Sequence, residues 1–380
     1  MSTLDILDRL IGFDTVSARS NLAMVDFIET FLADRGFAIT RIPDPTGEKA
    51  GLYATLGPAG EGVLLSGHTD VVPTDGQDWT RPAFKLTREN DRLFGRGTTD
   101  MKGFVACMLT AADRAAKADL KAPLSLALSY DEEIGCVGVQ QMESALAPLI
   151  GQPRLCIVGE PTVMQVTTGH KGKAMQRVVC TGQAGHSALA PKFVNALHMA
   201  SDFITAMRAL QDDLRTSGVR DAAYDIPYST IHVGTLTGGK MLNIVADQAE
   251  MMMEFRHLAA DPAEALTRRI RAAADQIAAD YRAKWGGAAI TVEQVNAYPG
   301  LDVGADAPAI ALAQTLAETN TTTKVAFGTE AGVFATLGVP TIVCGPGSME
   351  GQGHKPDEYI TTEQLSACER MLERAVDALC

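Results

Sequence analysis

The stretch "LLSGHTDVVP", residues 64–73, ends a run of strand-forming residues with His68 and Asp70 two positions apart, just ahead of a proline. Side chains at i and i+2 of an extended chain lie on the same side, so an imidazole and a carboxylate face one spot. Further acids and a second imidazole fall where apolar runs give way to loops: Asp100 in "GRGTTDMKG", Glu132 and Glu133 in "SYDEEIG", Glu160 in "IVGEPT" and His354 in "GQGHKPDEY". Strand ends of this kind are where an open α/β sheet places its ligands. Two imidazoles with several carboxylates and no nearby thiolate suit a divalent ion, Zn²⁺ first, with Co²⁺ or Mn²⁺ as substitutes. One catalytic zinc usually takes three protein ligands, so this many acids fit a two-metal site better, in which a carboxylate can bridge the ions. Each residue also has an ordinary role: Asp100 as a helix N-cap, Glu132 and Glu133 as a solvated pair, Glu160 as a turn cap, each His as a hydrogen-bonded structural residue. Their joint pattern is what points to metal chemistry.

The elements that must position these residues alternate. Apolar residues at Leu4, Ile6, Leu7, Leu10 and Ile11, then at Met24, Phe27, Ile28 and Phe31, predict two amphipathic helices. The runs "GLYATLG", "GVLLSG", "LSLALSY" and "RLCIVGE" predict strands, with a helix over 101–117 between the second and third. Continuous apolar strands alternating with helices give an α/β fold, a mainly parallel sheet covered by helices on both faces. From about residue 173 the order becomes strand, helix, strand, strand, helix, strand, ending with "AAITVEQVNA". This is a split βαβ unit, a ferredoxin-like α+β domain inserted into the chain. The expected organisation is a discontinuous domain of residues 1–172 and 297–380 around an insertion of residues 173–296. The two crossings of the insertion, near Gly172 and Ala297, could act as hinges.

Composition narrows the field. With 380 residues, 46% hydrophobic and 21% charged, the chain is long enough for two domains with real cores. A formal net charge of −13 argues against nucleic acid as a partner, since phosphate binding needs clustered Lys and Arg. No long apolar run or apolar leader is present, which argues against a membrane span and favours a cytoplasmic protein. Seven cysteines with no CxxC pair are expected to be free thiols.

In order and over nearly the whole chain, "GHTDVVP", "GRGTTDMKG", "DEEIG", "GEPT", "AGHSA" and "GHKPDEY" resemble the M20 metallopeptidases, a family of dinuclear zinc aminoacylases and carboxypeptidases. The resemblance implies that His68 and Glu160 bind one metal, Glu133 and His354 the other, and that Asp100 bridges them. Glu132 is then the general base, and Asp70 is expected to hydrogen-bond the second ring nitrogen of His68 and fix its tautomer. In "TGQAGHSALAP", His186 reads locally as a turn or cap residue. The resemblance implies instead that it reaches a partner subunit's site to stabilise the tetrahedral oxyanion, which makes a homodimer, joined through the inserted domain, the active unit. Arg256 in "MEFRH" and Asn243 in "KMLNIVAD" come from consecutive strands. Arg256 has the ordinary reading of a surface ion pair; the resemblance moves it toward the substrate's carboxylate, with Asn243 beside it. Glu330 in "GTEAG" is expected at the substrate's ammonium group or under the metal loop.

Within the family, "FGTEAGVF" and "GPGSMEGQGHKPDEYI" most resemble the branch that hydrolyses N2-acetyl-L-ornithine to L-ornithine and acetate in arginine biosynthesis. The loop before His354 carries one more small residue than is usual in that branch. Close alternatives share the chemistry: succinyl-diaminopimelate desuccinylation, or hydrolysis of other N-acyl amino acids or dipeptides. A different class is a catalytically silent dimer that binds a small molecule. All five ligand positions and Glu132 are present, which argues for an active enzyme.

Overall fold

The computed structural model describes residues 1–380. Two compact units emerge, one of Met1–Gly169, Leu301–Lys324 and Thr329–Cys380, the other of His170–Gly300 and Val325–Gly328. The expected boundaries at 172/173 and 296/297 therefore move to 169/170 and 300/301, and the short segment Val325–Gly328 goes with the second unit. The shift has a packing cause: a Cβ at Gly172 would stand 2.7 Å from the Gly300 nitrogen, so the two crossings lie against each other and belong with the strands they lead into.

The strands of the first unit are β1 (Ala38–Pro43), β2 (Ala50–Leu56), β3 (Val63–His68), β4 (Thr87–Glu89), β5 (Arg92–Phe94), β6 (Leu124–Ser129), β7 (Leu155–Pro161) and β8 (Val166–His170). To these the C-terminal part adds β13 (Leu301–Asp302), β14 (Thr322–Val325), β15 (Thr341–Gly345) and β16 (Tyr359–Thr361). Nine of them form one sheet in the order β1-β2-β6-β3-β7-β15-β8-β13, with β14 on β8; β16, β5 and β4 form a small separate sheet. The centre is parallel as expected, β3 pairing with β6 and β7, and β15 with β7. Its margins are antiparallel, β1 on β2, β2 on β6, and β8 on β15. The link between β1 and β2 is too short for the crossover that a parallel pair needs, which runs to a dozen or more residues.

Helices α1 (Thr3–Ile11), α2 (Leu22–Ala33), α3 (Lys102–Ala115), α4 (Val137–Ile150), α7 (Pro308–Ala317), α8 (Ala331–Thr336) and α9 (Thr362–Asp377) accompany this sheet. Strands β3, β6 and β7 are buried along their whole length, as strands covered on both faces must be. Helix α3 comes close to them at two glycines: a Cβ at Gly67 would lie 2.9 Å from Met101, and one at Gly159 only 2.0 Å from the Phe104 ring. These two approaches fix the start of α3 against the strand ends that carry His68 and Glu160.

The second unit contains β9 (Gly172–Thr181), α5 (Ala196–Ser217), β10 (Thr230–Gly238), β11 (Gln248–His257), α6 (Ala263–Arg282) and β12 (Ala289–Tyr298). Its sheet runs β10-β11-β9-β12 with antiparallel neighbours throughout, the strand order of a split βαβ unit. Alternate residues of β9 and β11 are buried, so Ala174, Val178, Met251, Met253 and Phe255 form a core with Phe203 and Met207 of α5 and Ile270 of α6. All seven cysteines are free thiols. No helix is long and apolar enough to cross a membrane.

Candidate metal centre

His68 closes β3 and is fully buried. Its Nε2 lies 3.2 Å from Asp100 Oδ1 and 3.7 Å from Glu160 Oε1. The other oxygen of Asp100, Oδ2, is 3.1 Å from His354 Nε2, which is also 3.0 Å from Glu133 Oε2. Asp100 thus offers one oxygen to each imidazole. Two clusters share it, His68 with Asp100 and Glu160, and Asp100 with Glu133 and His354, and in each the possible ligand atoms lie within 4.8 Å of one another. The first cluster is buried. The second opens outward through His354, whose side chain is 42% exposed and whose backbone takes a positive φ of 58° in the loop between β15 and β16. Helix α3 starts after Met101 with no side-chain cap, so the ordinary role considered for Asp100 is not the one its carboxylate takes.

Glu132 and Glu133 follow β6, and a second acid holds their backbone in place. Asp70 Oδ1 accepts the Glu132 N–H at 3.0 Å, while Oδ2 accepts the Ser17 hydroxyl at 2.7 Å and the Glu133 N–H at 3.3 Å. The expected approach of Asp70 to His68 is present, but it is not the nearest contact of that ring nitrogen. His68 Nδ1 bonds first to the Asp70 backbone carbonyl, 2.9 Å away, and the Asp70 carboxylate stands back at 3.4 Å because it is engaged with the glutamate pair. The carbonyl can only accept, so Nδ1 carries a proton and Nε2 is the nitrogen turned toward Asp100 and Glu160. The Glu132 carboxylate receives the Cys136 thiol at 3.1 Å.

Glu330, expected near a substrate ammonium group, is 1% exposed and turned inward, its oxygens taking the hydroxyls of Ser66 (3.1 Å) and Ser129. The structure therefore places it under the ends of β3 and β6. In the second unit, His186 and Asn243 are neighbours, Ser187 N–H donating to the Asn243 carbonyl at 3.0 Å. His186 Nδ1 accepts from the Ala188 N–H at 3.1 Å, the local capping role. Arg256 forms the ordinary ion pair, its Nε 3.0 Å from Glu254.

The electrostatics of the centre call for cations. Burial, and after it the charges of Glu133, Glu330 and Asp100, push Glu132 up to about 8 against the pull of His68. Burial and Asp100 push Glu133 up to about 7, and burial with Asp100 and Glu132 raises Glu160 well above the carboxylate range. For His354, burial works downward, but its bonds to Asp100 and Glu133 prevail and raise it to about 10. Buried Lys102 does not help, since it donates to the carbonyls of Leu10 and Phe13. Glu133 Oε1 and Glu160 Oε1 are buried with no hydrogen-bond partner. Unpartnered buried oxygens among crowded acids and imidazoles form a donor set that fits hard or borderline divalent ions.

Acids and imidazoles gathered at the ends of a parallel sheet, with a glutamate to spare beside them, are the equipment of a metal-dependent amide hydrolase. The chain belongs to peptidase family M20/M25/M40, whose model matches residues 64–378. It is 33% identical over 387 residues to an acetylornithine deacetylase of Myxococcus xanthus, covering 98% of this chain and 96% of that protein. Against an acetylornithine deacetylase of Proteus mirabilis (strain HI4320) it is 33% identical over 385 residues, covering 99% and 96%. Its fold is shared with an M20 family metallo-carboxypeptidase from Sulfolobus solfataricus, with a TM-score of 0.79, 18% identity and coverage of 99% and 98% of the two chains. A dinuclear metal binding peptidase of the M20 family from Bacillus subtilis matches with a TM-score of 0.69, 16% identity and coverage of 99% and 97%.

The sequence pointed to the acids and imidazoles but not to Ser17, which donates to Asp70, nor to the buried pair Arg96–Glu358, whose carboxylate accepts the Thr99 and Asp100 N–H groups. The available signal was Glu358 itself, an acid four positions after His354 in "HKPDEY".

Proposed function

We propose that this chain removes the acetyl group from N2-acetyl-L-ornithine, giving L-ornithine and acetate, as a step of arginine biosynthesis in the cytoplasm. The observation that carries the reading is the pair of clusters sharing Asp100, with Glu132 beside them, in a chain similar over nearly its whole length to acetylornithine deacetylases. His68 and Glu160 would hold one divalent ion, Glu133 and His354 the other, and Asp100 both; zinc suits the set, with cobalt as a substitute. When bound, the ions supply Lewis acidity that polarises the acetyl carbonyl and lowers the pKa of a water molecule.

The chain's own groups carry the proton. Glu132 Oε2, left free by the thiol bond at Oε1, removes a proton from the water that attacks the carbonyl carbon. As the carbon–nitrogen bond breaks, Glu132 returns that proton to the departing α-amine, and the acetyl group leaves with the water's oxygen as acetic acid, whose remaining proton is lost to give acetate. Asp70 keeps the two glutamates aimed apart by gripping their N–H groups. Arg256 and Asn243 are assigned to the substrate's α-carboxylate and His186 to the oxyanion in a homodimer, with the second unit serving as dimerisation and lid domain.

Steady-state rates on N2-acetyl-L-ornithine, succinyl-diaminopimelate and N-acetylmethionine, with Zn²⁺ or Co²⁺ supplied, test the substrate. The first is expected to be hydrolysed with the highest kcat/KM, and preference for either of the others refutes the assignment. Chelation is expected to abolish turnover and zinc to restore it.

A further inference from the structure

Behind the segments that carry Asp100 and His354 lies a buried ion pair. Glu358, 1% exposed, takes Arg96 Nη1 at Oε2, 2.5 Å away, and Arg96 is itself fully buried. The second oxygen, Oε1, accepts the N–H groups of Thr99 at 2.8 Å and of Asp100 at 3.1 Å, and the Glu358 carbonyl accepts the Gly95 N–H at 2.9 Å. From Arg96 the network continues: Nη2 donates to the Gln77 side-chain oxygen at 2.6 Å, and Gln77 Nε2 donates to the backbone carbonyl of His354 at 3.2 Å. Trp79 Nε1 donates to the same Gln77 oxygen at 3.0 Å, and its ring centre lies 5.1 Å from the Arg96 guanidinium carbon. One chain of hydrogen bonds therefore grips the backbone of Asp100 at one end and of His354 at the other.

A buried ion pair is a poor means of stabilisation, because well-packed apolar residues of the same volume often do as well or better. An apolar pair could not present a fixed oxygen to the N–H groups of residues 99 and 100, which stand just ahead of a helix that has no side-chain cap. The position matters because Asp100 Oδ2 and His354 Nε2 are only 3.1 Å apart, so a small drift of either segment changes the spacing of the donor set. We propose that Glu358, held by Arg96, is a positioning residue of the metal centre, and that the relay through Gln77 keeps the His354 loop in register with Asp100. The inference rests on the reading of the clusters as a metal centre.

The test is zinc affinity, measured on metal-free protein in competition with a chromophoric chelator. Glu358→Gln is expected to weaken binding about 10- to 100-fold, the usual effect of removing a support behind a ligand. Gln77→Ala is expected to weaken it several-fold, on the order of five, with the metal-free urea midpoint and far-UV circular dichroism unchanged. The double variant is expected to fall short of the summed effects, since both substitutions cut one network. Wild-type affinity in Gln77→Ala together with wild-type affinity in Glu358→Gln overturns the proposal. Should Glu358→Gln fail to fold, Gln77→Ala decides alone by the same criterion, as Gln77 lies outside the ion pair. Wild-type protein that takes up no zinc would instead overturn the metal-centre reading itself.

Discussion

Replacing Asp70 with asparagine isolates the work of one carboxylate at nearly constant shape. Its two oxygens receive three donors: Glu132 N–H on Oδ1, and Ser17 O–H with Glu133 N–H on Oδ2. Asparagine offers one oxygen and one NH₂ group. If the amide oxygen stays on the Glu132 side, the NH₂ group meets Ser17, whose hydroxyl can turn and accept, and Glu133 N–H, which cannot. In the flipped state the NH₂ group would face Glu132 N–H at 3.0 Å and the proton on His68 Nδ1, which is worse on both counts. The first orientation should prevail, at the cost of one unmet buried donor and the loss of charge assistance on the others, together about 2–4 kcal/mol. The damage falls on Glu133, the ligand, more than on Glu132, the base. Urea unfolding of metal-free protein should show this loss, zinc affinity should drop about 10- to 100-fold, and kcat at saturating zinc should fall much less. Metal-free stability within about 0.5 kcal/mol of wild type, or a loss of kcat with zinc affinity intact, would refute the assignment of Asp70 to the Glu133 backbone.

Glu132→Gln should keep its metal and lose about 10²- to 10⁴-fold in kcat, the range for a lost general base; near-native turnover in a fully metal-loaded variant would remove Glu132 from that role. Gly159→Ala would drive a methyl group into the Phe104 ring, 2.0 Å away, and should cost at least about 1–3 kcal/mol by urea denaturation, with activity falling as β7 and Glu160 shift. His170 supplies a pH dependence away from the centre. Burial, with a smaller push from His257, holds its imidazole down to about 4, below the ordinary 6.5. A His whose folded pKa is depressed gives stability that is present above 6.5 and lost as pH falls toward 4, because the unfolded chain takes up the proton first. The loss between pH 7 and pH 5 should be about 2 kcal/mol, and His170→Asn should flatten that limb; an unchanged slope would exclude His170 as its source.

What the sequence made legible follows a physical rule. The central strands and the helices α1, α2, α3, α5 and α6 showed because each buries a continuous run or a periodic stripe against the core of its unit. Helix α4 was not anticipated: it follows Cys136, in a left-handed conformation with no side-chain cap, and contains Pro148, so although Gly151 marks its end it lacks the usual starting signal and carries a breaker inside. The short strands β4, β5 and β16 were hidden because each is only three residues long. In the site, the acids and imidazoles stood out by type and position. Their supports stood out less: Asp70 showed as a neighbour of His68, but its hold on residues about sixty positions away did not, nor did that of Glu358 about 260 away, because backbone N–H groups leave no mark on the sequence.

Five acids around the centre fall into two sets, and the division explains how so much negative charge can be folded into one place. Asp70, Glu330 and Glu358 have their oxygens met by the protein itself: backbone N–H groups and Ser17 for Asp70, the hydroxyls of Ser66 and Ser129 for Glu330, and Arg96 with two N–H groups for Glu358. Burial alone would raise Asp70, yet the nearby His68 imidazole, with the bonds from Ser17 and the Glu132 backbone, holds it below the ordinary range. Glu133 and Glu160 each keep an oxygen that nothing in the chain meets, and both are pushed upward in pKa. Burial raises Glu330 and Glu358 as well, but their oxygens keep partners in the chain, so folding without cations costs the second set more. The first set therefore acts as scaffold and the second as ligands, joined by Asp100, whose two oxygens face the imidazoles of His68 and His354, and divalent ions should raise stability by mass action through these ligands. Zinc added to wild type should shift the urea midpoint upward, whereas in Glu160→Gln, which removes one unmet charge, metal-free protein should lose little stability and the zinc-induced shift should shrink. A zinc-induced shift of wild-type size in that variant would break the division between the two sets.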